Sequence, residues 1–255
     1  MATEPQTSAE QPAPRSAVDF EYSNLSGRPP GPFVSLASRL SSGVAEVQQQ
    51  IRPYAEAWRA SNLHALSADG PLWVVIGDSM SQGIGSTAHD RGWVNQTAAA
   101  ITEPGEPAPR IVNLSISGAR VSDVLERQLP ALDELIGLGK VPDLVTVLIG
   151  SNDMMRRNDR EGLPARFQRM LDQLPPGTVV ANLPNPRGIA AVLNGLIDRA
   201  VADRGLVLAN MKQPRTTTWK GKLAQDHFHP NELGYADMAA VFTEAIKSRH
   251  SLDGS

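Results

Sequence analysis

Ser79 closes the stretch Trp73-Val-Val-Ile-Gly-Asp-Ser79-Met-Ser-Gln-Gly83, where a short apolar run ends in a glycine, an acid and a hydroxyl. Such a run reads as a buried strand. Its polar end reads as the turn at which a parallel sheet presents functional groups. Far downstream the chain carries Asp226-His-Phe-His229-Pro. A serine becomes a nucleophile when a base takes its proton and a third group orients that base. His229 and Asp226 are the right residue types for the pair. Three positions apart on a tight turn, the carboxylate can reach imidazole Nδ1 and leave Nε2 for the serine. The chemistry suggested is acyl transfer through a seryl ester. Neither segment suffices alone, because Asp-Ser before a glycine is also ordinary turn chemistry.

Acyl transfer also needs donors for the developing oxyanion. The Ser79 N–H is one candidate. Asn113-Leu-Ser-Ile-Ser-Gly118-Ala supplies a second in Gly118, where the missing side chain lets backbone come close. Gly150-Ser-Asn152-Asp153 supplies a third in the Asn152 amide. Asn152 and Asp153 could equally cap a helix, and Asp153 is assigned a structural role. Asp78 is expected to fix its turn by accepting backbone N–H groups. Met154 and Met155 either pack in the core or line an acyl pocket, since thioethers adapt to flexible chains. Arg120, Arg156 and Arg157 are solvated surface or, if turned inward, contacts for an anionic substrate group.

A rival reading takes Asp78, Asp226, His227 and His229 as metal ligands. The other histidines, His64, His89 and His250, are not at strand ends, and no metal or organic cofactor is expected. Gly83-Ile-Gly85 has a passing likeness to a phosphate loop but lacks the third glycine and the Lys-Ser/Thr ending.

These residues need a scaffold. Strands are expected at Leu72–Ile76, Arg110–Leu114, Asp143–Ile149, Thr178–Asn182 and Leu206–Ala209. Helices are expected at Gly92–Ile101, Val121–Leu135, Pro164–Leu174, Gly188–Val201 and Glu232–Ile246. Apolar strands alternating with amphipathic helices argue a parallel sheet covered on both faces. Upstream, residues 1–32 are poor in apolar residues and rich in proline and polar ones, the composition of a disordered tail. Removing them is expected to leave activity unchanged. Residues 33–70 form a helical extension, because Phe33, Leu36, Leu40, Val44, Val47, Ile51, Tyr54 and Trp58 step by three or four. Pro53 either kinks one helix or starts a second within its first turn. This stripe packs on the main domain, covers the site as a lid, or joins copies in a homo-oligomer through residues 33–66. Residues 71–255 form the catalytic domain.

With 255 residues the chain can bury a core without staples. It has no cysteine, which excludes disulfides, thiolate zinc sites and a cysteine nucleophile. A net charge of −3 offers neither a nucleic-acid footprint nor a polybasic membrane patch. No run of 18 apolar residues is present, so no transmembrane span is expected. The first 30 residues hold no apolar stretch behind a basic start, so a secretory leader is not expected and a cytoplasmic location is.

Four segments in order carry a resemblance: Gly77-Asp78-Ser79-Met80, Ser117-Gly118-Ala119, Gly150-Ser151-Asn152-Asp153 and Asp226-His227-Phe228-His229. The set resembles the SGNH hydrolases, or GDSL esterases and lipases, over residues 72–247. Met80 stands where the family has leucine, a volume-conserving exchange. Residues 1–71 have no counterpart in the family core. The resemblance implies a flavodoxin-like three-layer α/β/α sandwich. It implies Ser79 as nucleophile, His229 as base and Asp226 as its partner, with an oxyanion hole from Ser79, Gly118 and Asn152. The implied activity is hydrolysis of a small-molecule carboxylic ester through an acyl-enzyme. The alternatives are an acyltransferase of the same fold and, further off, a non-catalytic assembly protein.

Overall fold

The computed structural model describes residues 20–29, 38–155 and 160–253. Five strands, β1 (Leu72–Gly77), β2 (Arg110–Asn113), β3 (Leu144–Leu148), β4 (Val179–Ala181) and β5 (Val207–Ala209), form one parallel sheet in the order β2-β1-β3-β4-β5. The main helices are α1 (Ser42–Gln49), α2 (Ile51–Ser67), α3 (Trp93–Ile101), α4 (121–137), α5 (Ser151–Met155), α6 (Leu163–Gln173), α7 (Ile189–Arg204), α8 (Pro214–Thr217) and α9 (Glu232–Asp253). The expected strands and helices of residues 72–246 are all present, with ends that differ by a few residues. Among the described residues no helix is long and apolar enough to cross a membrane.

Period-two alternation makes this a three-layer sandwich. Along β1, Val74 and Ile76 enter one cluster with apolar residues of α4, α6 and α7. Trp73 and Val75 enter the other, with residues of α3 and α9. Trp93 and Phe242 stack there with ring centroids 3.9 Å apart. The order in which strands are added reverses at β1, flanked by β2 and β3, so a crevice opens beyond the carboxyl ends of β1 and β3.

The amphipathic stripe becomes two helices that meet at Gln50, with Pro53 in the first turn of α2. Phe33 and Leu36 lie outside the described residues, and Leu40 is largely exposed. Of the rest, Val47 and Trp58 are buried and Val44, Ile51 and Tyr54 half-buried; Ala55, Ala65 and Leu66, outside the stripe, are buried as well. Asn62 covers the edge strand. Its Oδ1 accepts from the Asn113 N–H at 2.7 Å and its Nδ2 donates to the Asn113 carbonyl at 2.9 Å. One side chain thus satisfies the backbone groups that a sixth strand would have taken, the usual need at a sheet edge.

Residues 20–29 depart from the expectation of a disordered tail. Phe20 is buried in the core cluster and stacks on Tyr22. The Tyr22 hydroxyl donates to the Leu114 carbonyl at 2.5 Å. Asn24, 1% exposed, donates to the carbonyls of Asn113 and Ser115 at 2.7 and 2.9 Å. Arg127 donates to the carbonyls of Ser23 and Leu25. The segment holds on through one buried ring and several polar side chains, which an apolar count does not register. Residues 1–19 and 30–37 lie outside the described residues.

Candidate active site

β1 ends at Gly77, and the backbone there is gripped from the side. Gln128 Oε1 accepts from the Gly77 N–H at 2.8 Å, and Gln128 Nε2 donates to its carbonyl at 2.9 Å. Gln128 closes a π turn, Val124–Gln128, inside α4. A Cβ at position 77 would collide with Ser81 Oγ and the Leu148 carbonyl, so glycine is required by close approach. The chain then turns sharply. Asp78 Oδ1 accepts from the Met80 N–H at 3.0 Å, the turn-fixing bond expected of it.

Ser79 and His229 are both 7% exposed. His229 Nε2 lies 3.0 Å from Ser79 Oγ, and His229 Nδ1 lies 2.5 Å from Asp226 Oδ2. The loop that presents the histidine is bent around the carboxylate. Asp226 Oδ1 accepts from the Phe228 and His229 N–H groups, each at 3.0 Å, so Oδ2 is left for the ring. His227 takes φ 54° to allow this, a left-handed conformation that non-glycine residues rarely adopt. Burial pushes the Asp226 carboxyl up, but its bonds to the imidazole and backbone outweigh that and hold it below its ordinary value. The Ser79 loop supports the histidine from behind. A Cβ at Gly85 would lie 2.5 Å from the Pro230 carbonyl and 2.9 Å from His229 Cβ. This close approach is the physical reason for the second glycine of Gly83-Ile-Gly85.

Gly118 and Asn152 come to the same crevice. Gly118 has φ 74° and lies at an exposed turn. Among the described residues neither the Gly118 N–H nor the Ser79 N–H has a hydrogen-bond partner. Asn152 Nδ2 donates to the Ala119 carbonyl at 2.9 Å and, more loosely, to Asp78 Oδ2 at 3.3 Å. Ser151 Oγ donates to the same Asp78 oxygen at 2.7 Å. Burial pushes the Asp78 carboxyl above its ordinary value, against the Ser151, Met80 and His229 contacts that favour its charge.

The remaining candidates divide. Met154 lines a cavity of about 110 Å³ that touches Asp78, Met80, Met211 and Met238. Met155, one helical step on, is 57% exposed and does not line it. Arg120 also does not line that cavity; its backbone N–H donates to Asp123 Oδ2 at 2.8 Å as α4 begins. Arg156 and Arg157 lie outside the described residues. The four side chains of the metal reading do not assemble: no group of three or more His, Asp and Glu able to hold an ion occurs among the described residues. His227 is exposed.

Sequence reasoning missed the polar layer beneath the site. Gln82, fully buried, donates to the carbonyls of Asn24 and Ser115 at 2.9 Å each and accepts from Ser117 Oγ at 2.7 Å. It ties the Ser79 turn to the Gly118 loop. Its position three residues after Ser79 was the only available signal.

Asp153 plays the structural part expected of it. Its carboxylate accepts from the Val121 N–H at 3.1 Å, and burial raises its pKa to about 6. The native state therefore keeps a proton that the unfolded chain, near 3.8, has lost. Stability from this group falls as pH rises between those values and is level above them. The stability advantage of Asp153→Asn over wild type is expected to grow between about pH 4 and pH 6, by on the order of 1–3 kcal/mol. Urea unfolding of both proteins at several pH values checks this; a pH-independent difference would contradict it.

The family model for the GDSL-like lipase/acylhydrolase family matches residues 75–236. No curated protein matches the chain. Among solved structures, TesA is 22% identical with a TM-score of 0.54, over 70% of this chain and 99% of its own. The psychrotrophic esterase EstA from Pseudoalteromonas sp. is 19% identical with a TM-score of 0.53, over 71% and 100%. The lipase/acylhydrolase from Enterococcus faecalis is 20% identical with a TM-score of 0.51, over 70% and 96%. These likenesses are to the fold.

Proposed function

The chain belongs to the GDSL-like lipase/acylhydrolase family, and from that premise we propose that it cleaves carboxylic esters through a covalent intermediate on Ser79. One observation carries the reading: His229 Nε2 stands 3.0 Å from Ser79 Oγ while Asp226 holds the other ring nitrogen. That is hydrogen-bond reach for a base that must take a proton.

His229 takes the Ser79 proton as Oγ attacks the ester carbonyl. Asp226, kept ionised by its own hydrogen bonds, orients the ring and stabilises the imidazolium. The oxyanion forms beside the N–H groups of Ser79 and Gly118 and the Asn152 amide. The tetrahedral adduct collapses, His229 protonates the departing alcohol, and the acyl group remains on Ser79. Water, activated by His229, then releases the acid. An alcohol in place of that water makes the same machinery an acyltransferase.

The methionine-lined cavity receives the acyl group. At about 110 Å³ it is far below the several hundred Å³ of a drug-sized site, which favours short chains. Met154 is its wall, and neither Met155 nor Arg120 is needed there. Hydrolysis of p-nitrophenyl esters from acetate to laurate is expected to proceed with an optimum at short chains. No turnover on any chain by folded protein would count against the esterase. A rise in ester product with added alcohol would favour the acyltransferase.

A further inference from the structure

Ile116, Ala119 and Val121 pack in the core around the turn, but Gly118 itself is exposed. No atom outside its chain neighbours lies within 4 Å of where a Cβ would sit, and its φ is 74°. Hydrogen bonds hold the turn as well, beginning with Ser117 Oγ, which donates to Gln82 Oε1 at 2.7 Å. From the β3 side, Asn152 takes the Ala119 carbonyl and Asp153 takes the Val121 N–H. From the other side comes Arg28, in the segment 20–29 that lies outside the family match. Arg28 Nη1 and Nη2 form a fork on Asp123 at 2.9 and 2.8 Å, and Nη2 also donates to the Gly118 carbonyl at 3.2 Å. Asp123 Oδ2 accepts from the Arg120 N–H as well, so the turn from Gly118 to Asp123 is laced at both ends.

We propose that Arg28 is a positioning residue for the oxyanion hole, holding the Gly118 turn so that its N–H faces the reacting carbonyl. The proposal rests on the reading of Gly118 as an oxyanion donor. The fork matters because a guanidinium is planar and can grip a carboxylate with two parallel bonds while reaching a third acceptor. Asn24 and Phe20 anchor the segment a few residues upstream, so Arg28 is delivered from fixed backbone. Without it the turn keeps its bonds to the β3 side but gains freedom at Gly118. Misplacement of a donor by a fraction of an ångström weakens transition-state stabilisation without removing the substrate's contacts.

The test compares wild type, Arg28→Ala and Arg28→Lys with a short p-nitrophenyl ester and with an alkylboronic acid. The boronate bonds to Ser79 Oγ and mimics the tetrahedral intermediate. Against the sequence expectation that residues 1–32 are dispensable for activity, Arg28→Ala is expected to lower kcat roughly tenfold, less than loss of a donor outright, with KM within about twofold of wild type. Its boronate inhibition constant is expected to rise by the same factor. Arg28→Lys keeps a charge for Asp123 but not the fork, and is expected to fall between. If Arg28→Ala does not fold, the lysine variant carries the comparison. Unchanged kcat, or a loss of kcat with unchanged boronate affinity, overturns the proposal. Ser79→Ala, run alongside, separates the two readings. If it retains turnover the site assignment itself fails; if it is dead while Arg28→Ala matches wild type, only the role of Arg28 fails.

Discussion

Ser79→Ala is expected to abolish ester turnover, by about 10⁴-fold or more, while the protein stays folded. The seryl intermediate cannot form without Oγ, the group 3.0 Å from His229 Nε2. The fold has little reason to change. Among the described residues Ser79 Oγ makes one hydrogen bond, to the histidine, and the turn is held by other groups. Asp78 Oδ1 holds the Met80 N–H, the Asp78 and Ser79 carbonyls accept from residues 81, 82 and 84, and Gln128 grips Gly77. The measurement is initial rate on a short p-nitrophenyl ester beside a thermal melt of each protein. Alkylphosphonate labelling gives an independent reading. One adduct should appear on the peptide carrying Ser79 in wild type, and none in the variant. Turnover retained by a folded Ser79→Ala protein would sink the assignment.

Much of this site was legible because catalytic residues on parallel sheets sit where apolar runs end. Val-Val-Ile before Gly77 and Val-Leu-Ile before Gly150 announce buried strands, and the polar residues after them must emerge at one edge. The strand order then brings Ser79 and Asn152 together across β1 and β3. The Asp226–His229 pair was readable as spacing, although the strain at His227 that aims it was not. What stayed hidden was polar and non-local. Asn62, Asn24 and Arg28 earn their places through backbone groups 51 to 91 residues away. Nothing in composition says which asparagine will replace a missing strand. The π turn that swings Gln128 onto Gly77 is likewise a matter of backbone register, not of apolar period. Met154 and Met155 were indistinguishable as neighbours, yet one helical step puts the first on the cavity and the second in solvent.

Asn152→Ala is expected to lower kcat by roughly 10²–10³ with little change in KM, the signature of a donor used chiefly in the transition state. In the resting site both amide hydrogens have acceptors, and the two bonds are unequal. The 2.9 Å bond to the Ala119 carbonyl fixes the plane of the amide next to Gly118. The 3.3 Å contact to Asp78 Oδ2 is the looser, and it is the one an oxyanion can replace. Asp78 makes that exchange easier. Ser151 Oγ donates to the same oxygen at 2.7 Å and still satisfies it after the amide turns away. Asn152→Asp sharpens the test. It keeps the shape, loses the donor and sets an acid against Asp78, so its kcat should fall at least as far as that of the alanine variant. A change confined to KM in both variants would make Asn152 a binding residue. A kcat loss in alanine that aspartate restores would show that the amide's hydrogens are not what the transition state uses.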